Sequence, residues 1–411
     1  MTEFFDELET RDPSAREAAL MAALPDAIAN AKANAPGFAK ILADVDPAGV
    51  TSREALARLP VTRKSDLIEM QAATPPFGGL TTRPAGELAR LFMSPGPIAD
   101  PEGHGADWWR FARALFAAGF RKGDIVHNCF AYHFTPAGAM FESAAHALGC
   151  AVCAGGVGQT EMQVQAITHF GAGGYAGTPD FLKIVLDKAD ELGTPLPTLK
   201  KALVSGGALL PPLRAEIRGR GVDVVQCYGS ADLGLIAYES QAMEGMILDE
   251  GIVVEILRPG TGDPVAEGEV GEVVVTTLNR DYPLIRFATG DLSAIMPGIS
   301  PCGRTAPRIR GWMGRADQTT KVRGMFVHPA QIDRIVKRHP EIVRARLVVG
   351  MEEGKDSAVL LCEAAGGDGS LAERIAAGAQ AELKVRVEVR IVAKDKILND
   401  GKVIEDTRKY D

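Results

Sequence analysis

The chain has 411 residues, of which 46% are hydrophobic and 24% charged, and it carries a formal net charge of −8 at pH 7. This length predicts two or three domains with large cores, in the composition range of ordinary soluble globular proteins. The acidic balance disfavours nucleic acid or an anionic membrane surface as the main partner.

Neither a leader nor a metal-binding cysteine pattern is visible in the sequence. The acidic start, MTEFFDELETRD, lacks the charged-then-apolar order of a signal peptide, and no charge-free stretch suits a bilayer span. Cys150 and Cys153 form a C-x-x-C, but no second cysteine or histidine pair completes a zinc site. We therefore expect a cytoplasmic protein that does not enter a membrane.

The first two thirds of the chain change from helices to an alternating pattern. Residues 14–32 are rich in alanine and predict a helix that ends before Pro36. From Arg121 onward, short apolar runs alternate with helical patterns, which predicts a largely parallel α/β sheet with ligands beyond the carboxyl ends of its strands. Thr160 and Gln163 have the spacing of a capping box. The expected strands are 124–130, 151–154, 175–177, 202–205 and 222–226, and the expected helices are 136–148 and 160–170.

The last third of the chain has a different pattern. Residues 251–257 and 271–278 alternate with period two and predict antiparallel strands joined by Gly, Asp and Pro turn residues. Residues 328–339 predict a helix, with Pro329 in its first turn and Pro340 as its stop. Strands at 345–349, 358–363 and 386–392, with a helix at 370–382, predict a small α+β domain.

Four segments resemble the adenylate-forming superfamily, and specifically the phenylacetate–coenzyme A ligase family. The resemblance implies an α/β fold with a large N-terminal domain over residues 1–314, which has mostly parallel sheets and a small antiparallel region. A hinge at 315–318 and a small mobile α+β C-terminal domain at 319–411 are also implied. The four segments are YGSAD (228–232), PLIRFATGD (283–291), CGRT (302–305) running on to GRAD (314–317), and RGMFVHPAQI (323–332).

The resemblance implies a two-step reaction. A carboxylic acid, aryl or arylacetic in this family, reacts with ATP and Mg²⁺ to give an acyl-adenylate and pyrophosphate, and the acyl group then passes to the thiol of coenzyme A. A homodimer is compatible with it. Two alternatives stay open, namely an adenylate-forming protein with another acyl acceptor, and a nucleotide- or acyl-binding homologue without adenylation. A serine hydrolase is disfavoured because no G-x-S-x-G precedes a helix.

The resemblance also assigns roles to individual residues. Lys402, in a Gly-Lys pair near the terminus, neutralises charge that develops during adenylation. Asp232 helps to hold Mg²⁺, a task that a carboxylate suits, and Tyr228 lies beside the adenine. Asp291 accepts hydrogen bonds from both ribose hydroxyls. Asp317 is the residue about which the small domain rotates between the two half-reactions.

Further contacts follow from the same resemblance. Arg286 and Arg304 stay open between contacts to phosphate or ribose and structural ion pairs, because arginine suits all three. Arg315 is the better supported phosphate contact. The remaining nucleotide-binding residues are Ser94, Gly96, Ser205, Gly206, Gly207, Ala208, Gly229 and Ser230. The acyl pocket is assigned to Tyr132, His133, Phe134 and Gly138.

Residues 94–103 depart from the family's phosphate-binding loop, which has the form S-S-G-T-T-G-x-P. Pro97 and Ile98 replace both threonines, and prolines remove N–H donors that would cradle phosphate. Asp100 and Glu102 add negative charge that repels a triphosphate. The loop keeps Ser94, Gly96 and Pro101.

Three explanations of this departure stay open. ATP could bind by a different route, with Mg²⁺ offsetting the charge of Asp100. The loop could instead bind another group, or none. Adenylation could also be lost while binding of acyl-adenylate, AMP or coenzyme A is kept, although the presence of Lys402, Asp232 and Asp291 argues against complete decay.

Overall fold

A computed structural model describes residues 3–94, 97–207, 209–259, 261–314, 316, 320–323, 325–327, 329–352, 355–364, 369–394, 396–398 and 402–407. Contacts divide the chain into two compact units. Unit 1 comprises Met1–Val254, Val275–Phe287 and Ile295–Gly311, and unit 2 comprises Glu255–Val274, Ala288–Ala294 and Trp312–Asp411. The predicted hinge residues Arg315 and Asp317 lie outside the described residues, so the boundary at 315–318 stays a prediction. Within the described ranges, no helix combines the length and the apolar run needed to cross a membrane.

The helices and strands follow in chain order. The α-helices are α1 (Pro13–Asn34), α2 (Pro36–Ile41), α3 (Arg53–Leu56), α4 (Leu67–Ala73), α5 (Ala112–Ala117), α6 (Ala137–Ala147), α7 (Thr160–Phe170), α8 (Pro179–Glu191), α9 (Pro211–Gly219), α10 (Pro329–Arg338) and α11 (Gly369–Leu383). The strands are β1 (Thr62–Arg63), β2 (Arg90–Ser94), β3 (Ile98–Glu102), β4 (Ile125–Asn128), β5 (Ala151–Ala154), β6 (Gly174–Gly177), β7 (Lys201–Val204), β8 (Asp223–Ser230), β9 (Gly234–Tyr238), β10 (Met246–Leu248), β11 (Ile252–Leu257), β12 (Gly271–Thr277), β13 (Phe287–Ser293), β14 (Ile295–Met296), β15 (Arg308–Ile309), β16 (Thr320–Val322), β17 (Met325–Val327), β18 (Ile342–Glu352), β19 (Lys355–Ala364), β20 (Glu388–Val392) and β21 (Ile404–Asp406).

Unit 1 contains a nine-stranded sheet with the order β14-β15-β10-β9-β8-β7-β6-β4-β5. The strands from β5 to β8 in this order pair in parallel, whereas β9, β10, β15 and β14 continue the sheet with antiparallel pairing. The predicted mostly parallel α/β sheet with an antiparallel region is therefore confirmed. Strands β1, β13, β12 and β11 form a separate four-stranded sheet in that order.

Two hydrophobic clusters cover the opposite faces of the parallel strands. On β8, Val225 belongs to the cluster that contains Phe111 of the segment before α5 and Phe141 of α6, whereas its neighbour Val224 belongs to the cluster formed with α7 and α8. Successive side chains of a strand point to opposite faces. Both faces are therefore covered by helices, so a ligand can reach the parallel strands only at their ends.

Helix α1 follows its sequence signals closely. The side chain of Asp12 accepts hydrogen bonds from the amides of Ser14 and Ala15, and Pro13 occupies the first turn. Pro at that position costs no intrahelical hydrogen bond. The helix ends at Asn34, before Pro36, as predicted.

Helix α7 begins and ends where the sequence predicts, but the predicted capping box is wrong. The N-cap is Gln159 in a left-handed conformation, without a side-chain cap. The Gln163 side-chain amide instead donates to the carbonyls of Gly155, Gly156 and Gly158. Its Oε1 atom therefore accepts from Nε2 of His127 at 2.6 Å, and burial lowers the pKa of this imidazole.

The C-terminal part of unit 2 is the predicted α+β domain. A four-stranded sheet has the order β20-β19-β18-β21, and β16 and β17 pair as an antiparallel hairpin. Ile332 and Ile335 of α10 lie in one core with Leu347 and Leu360 of the sheet and Ile375 of α11. Strands β18 and β19 are longer than predicted.

Candidate active site

Asp232 lies in the tight turn that joins β8 to β9 in unit 1. The turn is closed by the pairing of Ser230 with Gly234, and Oγ of Ser230 accepts a hydrogen bond from the amide of Leu233. The Asp232 side chain is fully buried, and its Oδ2 atom lies 2.5 Å from Nζ of Lys64. Tyr228 and Gly229 lie near the carboxyl end of β8, and Tyr228 is buried. A buried, paired carboxylate thus stands where the sequence places the metal-binding residue.

Glycine is required at two positions of this turn. A Cβ atom on Gly229 would lie 2.6 Å from the carbonyl oxygen of Gly234 and 2.9 Å from the Phe111 ring. Gly234 has φ +73°, and a Cβ there would lie 2.6 Å from the carbonyl oxygen of Trp109. The backbone of the Asp232 turn is therefore fixed against the segment before α5.

The substitution Gly234→Ala should destabilise unit 1 by about 2–4 kcal/mol, because it adds left-handed strain to an overpacked contact. Urea denaturation followed by circular dichroism measures the change in the free energy of unfolding. Gly219→Ala is the matched control, since a Cβ at Gly219 meets no atom within 4 Å. Equal stability of the two variants would contradict the packing described for Gly234.

Of residues 94–103, expected to be a phosphate loop, Ser94 ends strand β2 and residues 98–102 form strand β3. Strands β2 and β3 pair antiparallel, with Ser94 opposite Ile98; Pro95 and the predicted nucleotide-binding Gly96 lie outside the described residues. Ile98 is buried. The side-chain amide of Gln71 on α4 pairs with both the N–H and the carbonyl of Ala99, at 2.7 and 2.9 Å. The β3 strand is therefore held in register beside α4.

Asp100 points into the protein from this hairpin. Its side chain is 0% exposed, and Oδ2 accepts a hydrogen bond of 2.5 Å from Oγ of Ser94. Burial and the charge of Asp232 together raise the pKa of Asp100 to about 7. The carboxylate that the sequence places in the phosphate loop thus lies within electrostatic range of Asp232, the predicted metal-binding residue.

Lys64 is a site residue that the sequence reasoning missed. It lies in a 3-10 helix (Lys64–Asp66) directly after β1 and is the cation that pairs with Asp232. The only signal in the sequence is a lysine that follows a short strand, which is too common to single out a functional residue. Its role becomes visible only through a contact with a residue far along the chain.

The predicted nucleotide-binding segment 205–208 follows β7. The hydroxyl of Ser205 donates to the carbonyl of Cys227 on β8 at 2.9 Å. Gly206 has φ +72°, and a Cβ there would meet Thr178 only at 3.8 Å, so its backbone conformation and not crowding calls for glycine. Gly207 is exposed, and Ala208 lies outside the described residues. Nucleotide contacts of this loop stay a prediction.

Of the four predicted acyl-pocket residues, Tyr132, His133 and Phe134 lie between β4 and α6, and Gly138 lies in the first turn of α6. The Tyr132 hydroxyl donates to Glu142 at 2.9 Å and accepts from Asn128 at 2.8 Å, and burial followed by the Glu142 contact raises the pKa of Tyr132. Gly138 is buried, and a Cβ there would lie 2.8 Å from the Tyr132 ring. His133 is exposed, and Phe134 is 78% exposed. Their assignment to the acyl pocket stays a prediction.

The remaining predicted site residues lie in unit 2. Asp291 on β13 accepts a hydrogen bond of 3.0 Å from Nε1 of Trp312, which is itself half exposed. Lys402 is exposed and lines a cavity of about 480 Å³ together with Arg258, Glu267 and Asp333. Asp291 is thus oriented by an indole donor, and Lys402 stands among charges of both signs.

Replacing Asp291 with asparagine should weaken AMP binding about 10-fold or more, because a hydrogen bond to a charged group contributes ~1.5–3 kcal/mol. Isothermal titration with AMP measures the change. Asp263→Asn, at an exposed carboxylate of the same unit that pairs with Lys337, is the control. Unchanged AMP affinity in Asp291→Asn would remove the ribose role from this residue.

Arg286 and Arg304 are structural. Arg286 is 1% exposed, and its guanidinium donates to the carbonyls of Ala57 and Leu59 at 2.8 and 2.5 Å. Nε of Arg304 lies 3.0 Å from Oε1 of the buried Glu9. Of the roles left open by the sequence, both guanidinium groups take the structural one, since each contacts other residues of unit 1.

Hard oxygen donors suit Mg²⁺, which takes few protein ligands and completes its shell with water and substrate phosphates. Among the described residues, no three His, Cys, Asp or Glu side chains are grouped to hold a metal ion. The Oδ1 atom of Asp232 is buried and has no hydrogen-bond partner. The donor set at Asp232 therefore fits a magnesium ion that is partly coordinated by nucleotide.

The sheet is covered on both faces, and the buried carboxylate of Asp232 follows the carboxyl end of β8, where α/β enzymes bind their ligands. Residues 106–279 match the family of AMP-binding enzymes. The chain is 31% identical to the phenylacetate–coenzyme A ligase of Thermus thermophilus over 336 residues, which cover 78% of this chain and 74% of that protein. It is 31% identical to the enzyme of the same name from Pseudomonas putida, with 80% and 77% covered. The chain belongs to the phenylacetate–coenzyme A ligase family of adenylate-forming enzymes.

Solved structures agree with this family. A crystal structure of 2-hydroxyisobutyryl-CoA ligase in complex with 2-HIB-AMP and CoA, in the thioesterification state, matches with a TM-score of 0.71 and 26% identity. It covers 98% of this chain and 91% of that chain. The same ligase in its postadenylation state, in complex with 2-HIB-AMP, matches with a TM-score of 0.71 and 26% identity, with 97% and 91% covered. The predicted α/β architecture and the acid–coenzyme A ligase class are confirmed.

Proposed function

We propose that this protein joins an aryl or arylacetic acid to coenzyme A through an acyl-adenylate, at the expense of ATP. The observation that carries the proposal is the buried Asp232 turn, whose carboxylate has one oxygen available for a hard cation, in a chain of this family. The acid class is inferred from relatives described as phenylacetate–coenzyme A ligases. Adenylate-forming chemistry supplies the intermediate that both half-reactions share.

The residues divide the work of the first half-reaction. The substrate carboxylate attacks the α-phosphate of ATP and pyrophosphate leaves, so negative charge accumulates around one phosphorus atom. Asp232 would hold Mg²⁺, which would offset part of this charge. Lys402 supplies a second cation to the same charge, and Asp291 fixes the ribose. In the second half-reaction, the thiol of coenzyme A attacks the acyl carbonyl and AMP leaves.

Acid-dependent exchange of labelled pyrophosphate into ATP tests this function. The assay uses the full chain with a panel of phenylacetate, benzoates and short aliphatic acids. We expect exchange with at least one aryl or arylacetic acid, and formation of the corresponding acyl-CoA when coenzyme A is added. Absence of exchange with every acid, in a protein that still binds AMP, would refute ATP-dependent adenylation.

One observation favours a second candidate, a homologue that binds AMP or acyl-adenylate without making it. The buried carboxylate of Asp100 stands beside that of Asp232, where a triphosphate requires positive charge. Binding of a non-hydrolysable acyl-adenylate analogue in the absence of any exchange would support this candidate. Acyl-CoA formation from added acyl-adenylate, without exchange, would show that only the second half-reaction is retained.

A further inference from the structure

Four polar side chains from separate segments of unit 1 lie within electrostatic range of one another. Asp100 comes from the β2–β3 hairpin, Asp232 from the β8–β9 turn and Lys64 from the 3-10 helix after β1. Tyr282 precedes β13 and is 1% exposed. Both aspartate side chains are excluded from solvent, whereas the Lys64 side chain is 30% exposed. We call these residues the Asp100–Asp232 cluster.

Some of the polar atoms in this cluster have hydrogen-bond partners within the described part of the chain, and others have none there. Oδ2 of Asp100 accepts from Ser94, and Oδ2 of Asp232 accepts from Lys64. The Oδ1 atom of each aspartate and the Tyr282 hydroxyl are buried without a hydrogen-bond partner among the described residues. Buried oxygens without partners are rare in folded proteins, and three in one cluster indicate an absent ligand.

The charges of the cluster do not balance. Asp232 and Lys64 lie within electrostatic range of Asp100, and both carboxylates lie within electrostatic range of the Tyr282 hydroxyl. Lys64 supplies one positive charge for two carboxylates, and buried charge without compensation is costly. One further positive charge, either a proton on a carboxylate or a bound cation, balances the cluster.

We propose that Asp100 and Asp232 together hold one hard divalent cation, Mg²⁺ or Mn²⁺, through their Oδ1 atoms, and hold it before any nucleotide binds. All the unpartnered atoms are oxygens, which is the ligand class that these cations prefer. Lys64 occupies the Asp232 side of the position when the cation is absent. The proposal deepens the proposed function, since family resemblance alone assigns Asp232 and not Asp100 to the metal.

The cation changes how the divergent hairpin acts on ATP. With a divalent ion bound, the two carboxylates, the ion and Lys64 together carry one net positive charge. The hairpin, which lacks the two threonine hydroxyls, then attracts the β- and γ-phosphates through this ion. Asp100 thus supplies a metal ligand on the strand from which the family supplies phosphate-binding hydroxyls.

Electron paramagnetic resonance with Mn²⁺, on the full chain without nucleotide, acid or coenzyme A, tests the proposal. The wild-type protein should bind a single Mn²⁺, and Asp100→Asn should weaken it by about 10-fold or more, since even outer-shell changes cost ~10–100-fold in metal affinity. Glu102→Gln is the matched control. Glu102 is a buried carboxylate on the same strand, but it pairs with Arg90. The Glu102→Gln variant should therefore bind Mn²⁺ with the affinity of the wild type.

A second variant guards against a change in folding. Lys64→Met removes the competing cation from Asp232 and should bind Mn²⁺ more tightly than wild type does. Absence of bound Mn²⁺ in wild type, or equal affinity in wild type and a folded Asp100→Asn variant, would overturn the proposal. Because no substrate is present, this result is separate from pyrophosphate exchange, which tests the proposed function by itself.

Discussion

Replacing Lys402 with alanine should lower acid-dependent pyrophosphate exchange about 10²–10³-fold, the range found when one preorganised transition-state donor is removed. AMP binding should hardly change, because the charge that Lys402 neutralises develops only during the reaction. Lys402 is exposed, so the substitution removes no core packing. Exchange rates at saturating ATP and acid, with calorimetric AMP affinity, measure both quantities.

Lys394→Ala is the control for the Lys402 experiment. Lys394 is an exposed lysine of the same unit that no resemblance assigns to the reaction. The two variants lose the same charge from the same unit. A difference between their exchange rates therefore reports the position of the lysine and not the change in net charge. If Lys402→Ala exchanges pyrophosphate as fast as Lys394→Ala does, Lys402 has no part in adenylation.

The largest loss of stability is expected for Glu9→Ala. Glu9 is 1% exposed, and its Oε1 atom accepts from the Tyr238 hydroxyl at 2.7 Å and lies 3.0 Å from Nε of Arg304. Removing one member of a buried ion pair costs about 3–5 kcal/mol, because its partner stays buried and uncompensated. Chemical denaturation should show this loss in the transition of unit 1.

Two companion variants separate charge from hydrogen bonding at Glu9. Glu9→Gln keeps an acceptor for Tyr238 but removes the charge opposite Arg304, so its loss of stability should be intermediate. Glu7→Ala removes an exposed carboxylate of the same 3-10 helix (Glu7–Thr10) and should change the free energy of unfolding by no more than about 0.5 kcal/mol. A Glu9→Ala variant as stable as Glu7→Ala would contradict the buried network.

Local patterns predicted the elements, whereas distant contacts decided the site. The periodicity of residues 160–170 and the apolar run at 151–154 gave α7 and β5 with the bounds that the structure has. The role of Gln163 on α7 could not be predicted, because it depends on three glycine carbonyls and on His127 of β4. Sequence periodicity reports which face of an element is buried and not what a buried polar group meets.

The phosphate loop shows the same limit. Substitution of both threonines was visible in the sequence and predicted altered triphosphate handling. The hairpin itself depends on Gln71 of α4, whose amide pairs with Ala99, and the burial of Asp100 depends on that pairing. Lys64 and Asp232 meet only in the folded protein. Family resemblance predicted the chemistry of single positions, and only the fold showed which of them lie together.

The buried partners of the N-terminal segment also constrain the order in which the chain can fold during synthesis. Glu9 pairs with Tyr238 and Arg304, and Arg16 pairs with Glu250 and donates to Thr305. The first helices to leave the ribosome therefore wait for their partners until about residue 305 has been made, roughly 15–60 s later at typical rates of synthesis. During that interval Glu9 and Arg16 cannot form their buried ion pairs and hydrogen bonds. The folding of unit 1 is therefore completed late in synthesis or after it.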